Sequence, residues 1–194
     1  MRKFILLFLI IFTKICLFAE IKIISPVPGN WANKQMLLID TADGGDYFYS
    51  LNGEDPDLAG FAYDGPVLID MTGNITVKIT RGFEEKTEIN FFVEHILPEN
   101  DDERAFVYSF SDTGILNYFA GSEINIPSTF KYSFENMAES FNPGKSISYS
   151  EKCILSRYIP CTVTDGKQSW RFILRTHPKS TGKFSRRDLP FRIN

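Results

Sequence analysis

The chain is predicted to be all-β: an immunoglobulin-like antiparallel β-sandwich followed by a second β-rich, sandwich-like module. Three observations predict this. Short apolar runs recur through residues 21–93, divided by Gly, Pro, Asn and Asp turn chemistry. No segment there sustains an apolar period of 3.6 residues. Apolar residues make up 43% and aromatics 14% of the 194 residues, with Phe commonest at 18, which fills a core and leans towards strands.

The first residues stand apart from the fold. Arg2 and Lys3 precede an apolar run from Phe4 to Phe12, and Ala19 offers a small residue before Glu20. This is the layout of a signal peptide over 1–19, removed on export. A retained anchor is the rival reading. Phe4 to Ala19 would span about 24 Å as a helix, short of a hydrocarbon core of roughly 30 Å, and Lys14 would lie inside it. The mature protein is therefore expected outside the cytoplasm and not integral to a membrane.

Residues 20–94 carry the first module. Ile21 to Ile24 alternates briefly before Pro26-Val27-Pro28-Gly29-Asn30 breaks it. Gln35 to Asp40 is apolar in its middle, Tyr47 to Leu51 is aromatic and alternating, and Pro66 to Asp70 is short. Asn74 to Arg81 alternates cleanly, with Ile75, Val77 and Ile79 on one face, and Thr87 to Val93 returns after a turn. Residues 95–103 are polar, acidic and hold Pro98, so they read as a linker. The second module, 104–194, opens with Arg104 to Phe110 read as a strand. Further strands are expected at Ile124–Ile126, Thr129–Phe134, Lys152–Leu155, Tyr158–Val163 and Ser169–Thr176. Asp165-Gly166 turns the last two into a hairpin, and Asn136 to Ser140 reads as one helical turn.

Between Tyr49 and Val67 the order is Tyr49-Ser50-Leu51-Asn52-Gly53-Glu54-Asp55-Pro56, then Tyr63-Asp64-Gly65-Pro66, then the closing strand from Asn74. Over residues 21–93 this resembles the chitobiase/β-hexosaminidase C-terminal domain family, also seen as fibronectin type III-associated modules. Asn52 replaces the usual Asp and Asp57 the common Thr, and both still suit a turn. The resemblance implies an immunoglobulin-like sandwich, noncatalytic, beside enzymes or in cell-envelope proteins.

The residues themselves offer little catalytic chemistry. The two histidines, His95 and His177, belong to no metal-protease motif, and no Cys-x-x-Cys pair, P-loop or nucleophile elbow is present. No cofactor or nucleic-acid partner is expected. Asp43, Asp46, Asp55 and Asp57 crowd two turns and are weak calcium candidates, set against solvated turn residues. Cys153 and Cys161 remain in the mature chain. Export favours a bridge between them, and two buried thiols are the alternative. Trp31, Tyr47 and Tyr63 are the aromatic candidates for stacking on sugar.

Charge is uneven. The mature chain stands at −6, yet Lys167 to Asn194 holds eight basic residues and one acid. Such a tail either meets an anionic surface, pairs with the acidic body, or is a solvated end. The functional expectation is a secreted, noncatalytic binding or structural protein of the bacterial cell envelope, with glycan or an envelope protein as partner. The alternative is an accessory subunit or small member of a carbohydrate-active enzyme system.

Overall fold

The computed structural model describes residues 20–82, 85–119, 123–135, 147–148 and 157–177. The expected signal peptide, Cys153, the helical turn at Asn136–Ser140, the strand at Lys152–Leu155 and most of the basic tail lie outside the described residues. In chain order the elements are β1 (Ile23–Ser25), β2 (Asn30–Trp31), β3 (Gln35–Ile39), β4 (Tyr47–Ser50), α1 (Pro56–Ala59), β5 (Phe61–Ala62) and β6 (Val67–Ile69). Then come β7 (Gly73–Arg81), β8 (Glu85–Val93), α2 (Asp101–Ser111), β9 (Ile115–Phe119), β10 (Glu123–Ile124), β11 (Lys131–Phe134), β12 (Ile147–Ser148), β13 (Arg157–Thr164) and β14 (Ser169–His177).

Two sheets of the first half form the sandwich. One has the order β1-β3-β6, the other β2-β8-β7-β4-β5. Leu37, Ile39 and Ile69 from the first meet Ile75, Val77, Ile79, Ile89, Phe91 and Val93 from the second in one core. The alternation of β7 and β8 produces this: every second residue faces the partner sheet, and the others, Thr80 excepted, are partly or fully exposed. Asn52-Gly53 turns the chain after β4, where Gly53 takes φ +78°, a conformation that costs a residue without a Cβ nothing.

The second half adds a mixed four-stranded sheet, β11-β13-β14-β9, whose β9 runs parallel to β14. The hairpin expected at Asp165-Gly166 joins β13 to β14, and Asp165 Oδ1 accepts from the Lys167 and Gln168 N–H groups at 2.7 Å each. A separate two-stranded antiparallel ladder pairs β10 with β12.

The second half departs from expectation most clearly at its start. Arg104 to Phe110 is helical, inside α2, and not a strand. The acidic run read as a linker supplies the helix start: Asn100 Oδ1 accepts from the N–H groups of Asp102 and Glu103, and three acids sit in the first turn. Val107 and Phe110, three apart, face the sheet, and the Phe110 ring stacks on Phe172 at 4.2 Å. The alternating large residues of this segment also satisfy helical spacing, and the cap decides between the two. Asn100→Ala is expected to cost about 1 kcal/mol of stability, read as a lower urea midpoint at unchanged slope.

The two halves share a core. All five residues of β3 are buried. Leu37 and Ile39 point into the sandwich, while Met36 and Leu38 point outward against Ile173 of β14, with Ile24, Ile115 and Tyr158 around them. β14 is likewise covered on both faces: Trp170, Phe172 and Leu174 lie under α2, and Ile173 lies against β3. The layers therefore run from the five-stranded sheet to the three-stranded sheet, then the four-stranded sheet, then the helix. Polar bonds fix the junction. Asn33 Nδ2 donates to Arg171 O at 2.8 Å and Asn33 Oδ1 accepts from Arg171 N at 2.9 Å. Ala32 N donates to Ser169 O at 2.8 Å, and Ile96 N to Ala32 O at 3.0 Å.

Candidate binding groove at the junction of the two halves

A groove of about 540 Å³ opens where the halves meet. Asp40, Thr41, Ala42, Gly44 and Gly45 form one wall, from the turn between β3 and β4. Tyr63 and Asp64 come from the segment between β5 and β6, and Tyr158 enters from β13.

The first wall is held by its own side chains. Asp40 Oδ1 accepts from Ala42 N at 3.2 Å, and Asp43 Oδ1 from Gly45 N at 3.1 Å, both turns of the Asx kind. Asp43 also accepts from Tyr47 Oη at 2.8 Å and meets Arg81 Nη2 at 2.7 Å. The Gly45 N–H, then the Tyr47 hydroxyl, lower the Asp43 pKa; burial opposes them, and the Arg81 charge lowers it further. Burial, then the Asp43 carboxylate, pushes the Tyr47 phenol up to about 12. A Cβ on Gly45 would come within 2.5 Å of Arg81 Nε, so any larger residue there would displace the Arg81 side chain that pairs with Asp43.

Tyr63 closes the groove on the sandwich side. Its hydroxyl accepts from Ile39 N at 3.1 Å, and its ring meets Tyr49 edge-on at 6.3 Å. Desolvation raises its pKa, so it is a neutral phenol at ordinary pH. It is half-buried, as is Tyr158 opposite. Tyr158 in turn stands under Arg175, whose guanidinium carbon lies 5.7 Å from the ring centroid.

Of the three aromatics expected to stack on sugar, only Tyr63 reaches this groove. Trp31 is in β2 and not in a loop. It is buried, its indole donates to Val27 O at 3.0 Å, and Arg171 lies over its ring at 5.7 Å. Tyr47 is also buried, as the inward phase of β4 requires. Neither offers an exposed ring face. Tyr158 went unread because a lone tyrosine in an apolar strand has no distinguishing pattern; only the register of β13 and β14 aims it here. Asp64, beside Gly65-Pro66, also lines the groove, whose far side Tyr158 of the second half supplies.

The acidic turns are neutralised by cations of the chain. Lys86 Nζ meets Asp55 and Asp57 at 2.7 Å each, bonds that lower the Asp55 pKa and raise that of Lys86. Asp46 is exposed. Among the described residues no three of His, Cys, Asp and Glu gather to hold a metal ion. Cys161 is a buried free thiol whose Sγ donates to Ile159 O at 3.3 Å; burial pushes its pKa well up. Among the described residues no helix is long and apolar enough to cross a membrane.

No protein-family model matches the chain, and no curated protein matches its sequence. Solved structures give distant likenesses. The glucan-utilization protein SGBP-B of Bacteroides ovatus, in complex with a mixed-linkage heptasaccharide, is 8% identical over 81% of this chain, with a TM-score of 0.27. The chain spans 47% of that protein's length. The N-terminal Ig1-2 module of the Drosophila receptor protein tyrosine phosphatase DLAR is 9% identical over 82% of this chain and 99% of its own, with a TM-score of 0.33. Domains 5–6 of the S-layer protein SbsC are 12% identical over 84% of this chain and 98% of their own, at 0.24. At these identities and scores none of the three bears on what this chain binds. The β-sandwich rests on the chain's own two facing sheets and the core between them.

Proposed function

We propose that the chain is a secreted, noncatalytic β-sandwich protein that binds glycan at the bacterial cell envelope. The observation that carries this reading is the junction groove, where two half-buried tyrosines, Tyr63 and Tyr158, stand with the carboxylates of Asp40 and Asp64. Aromatic faces stack on the apolar faces of sugar rings, and carboxylates accept from sugar hydroxyls. The groove is framed by elements with a common core, so little ordering is needed on binding. Residues 21–93 serve in this reading as a module like the chitobiase C-terminal domain, a role supported by the turn at Asn52-Gly53 and the closing strand β7.

The test is a glycan array and a peptidoglycan pull-down with the exported protein, repeated with Tyr63→Ala and Tyr158→Ala combined. The double variant is expected to lose about tenfold or more in affinity, the worth of two aromatic contacts. Retention of no glycan, or binding that the double variant leaves intact, would remove this reading.

A further inference from the structure

The groove's second-half wall continues into a strip that no expectation anticipated. Strand pairing sets Tyr158, Arg175 and Asn117 side by side in one row, and His177 beside Phe119 in the next. The row before them holds Ile173 and Ile115, which lie against Met36 and Leu38 of β3. Side chains two apart on a strand share a face, so the strip is the same sheet face running on past the cover that β3 provides.

Arg175 is the unusual member. Its Nε, like that of Arg171, is buried and has no hydrogen-bond partner. Among the described residues no carboxylate pairs with it, whereas Arg171, four residues earlier on the same face, meets Glu135 at 2.6 Å. A buried guanidinium donor without an acceptor is costly, and its planar fork matches an oxyanion. Beside it, burial and then the Arg175 charge lower the His177 pKa, so the imidazole is a neutral ring at neutral pH. That ring stacks on Phe119 at 4.8 Å with 19° between planes, and Nε2 lies 2.9 Å from Asn117 Oδ1. Phe119 is 58% exposed.

We infer that Arg175 receives a carboxylate of the bound saccharide, and that the His177–Phe119 pair is a platform for the neighbouring sugar ring. This rests on the glycan reading and names the ligand class: a glycan with isolated acidic sugars. Asp40 and Asp64 at the other end of the groove take hydroxyls and repel a densely charged polyanion.

The test uses the full exported chain and a panel of uronate-containing oligosaccharides, each as the free acid and as its carboxyl-reduced form. Isothermal titration is expected to show the acid form bound about tenfold tighter or more, as a charge-assisted bond implies. Arg175→Gln should erase that preference and keep the affinity for the reduced form, while Arg175→Lys should retain part of it. If Arg175→Gln fails to fold, the acid-versus-reduced comparison on the unaltered protein decides, together with its weakening in added salt. Glycan binding with equal affinity for both forms, or a preference that Arg175→Gln leaves whole, overturns the inference and leaves the glycan reading standing. Binding of neither form, with no glycan retained on the array, overturns both.

Discussion

Trp170→Ala is expected to be the most damaging single change, at about 3–5 kcal/mol, the usual cost of deleting a large buried aromatic. Trp170 is fully buried in β14, beneath α2, with Phe130 at 5.6 Å. Its indole donates to Ile96 O at 2.8 Å, fastening the segment that leads into the helix. The alanine leaves a cavity and a carbonyl without its donor, so the loss exceeds simple transfer of an indole to water. Urea unfolding followed by tryptophan fluorescence from Trp31 and by far-ultraviolet dichroism checks it. A midpoint within experimental error of the parent would refute the assignment of Trp170 to the second core.

Arg171→Ala comes next, at about 2–4 kcal/mol, because a packed stem and a paired charge are removed from between two layers. The Arg171 side chain is 1% exposed. Nη1 bonds Glu135 at 2.6 Å and Thr162 at 3.2 Å, Nη2 reaches Ile24 O at 3.4 Å, and the guanidinium carbon lies over Trp31. One side chain thus touches β1, β2 and β13. Glu135 is 44% exposed and turns to water when its partner goes, so the stranded-charge penalty is smaller than for a fully buried pair. Arg171→Met keeps most of the stem's volume and is expected to cost clearly less than the alanine. Equal losses for Met and Ala would show that charge, and not packing, dominates here. The main-chain bonds with Asn33 persist in both variants, which keeps the comparison clean.

What was legible in the sequence followed the physics of alternation. β7 and β8 each have one wet face, so their pattern names strand and face together. Asn52-Gly53 marks its turn because the backbone there needs a positive φ. The reading weakened wherever an element answers to two neighbours. β3 is apolar through its middle and does not alternate, since its outer residues Met36 and Leu38 pack on β14. That run signals burial on both faces, but nothing local says what lies on the second face. The segment at Arg104 to Phe110 fits both periods, and the deciding cap at Asn100 sits in a stretch whose acids look like a linker. Trp31 follows a Pro-Gly turn and reads as a loop, while its two-residue strand pairs parallel with β8, a partner some 60 residues on. The groove suffers most. Tyr63 came from its own motif, but Tyr158 joins it, with Arg175 beside it, through a register that only the assembled sheet defines.

The double coverage of β3 also sets a temporal order. Asn33 and Arg171, which bond across the junction, are 138 residues apart in the chain. Every residue of β3 is therefore made long before the strand that covers its outer side. Until β14 arrives, Met36 and Leu38 present apolar surface to whatever is near. Closing so long a loop costs little extra free energy but slows the search, since late contacts reward the chain only after the entropy is spent. The first half is then a waiting template for the second, and the interval between them is when this protein is most open to aggregation or to a chaperone's grip.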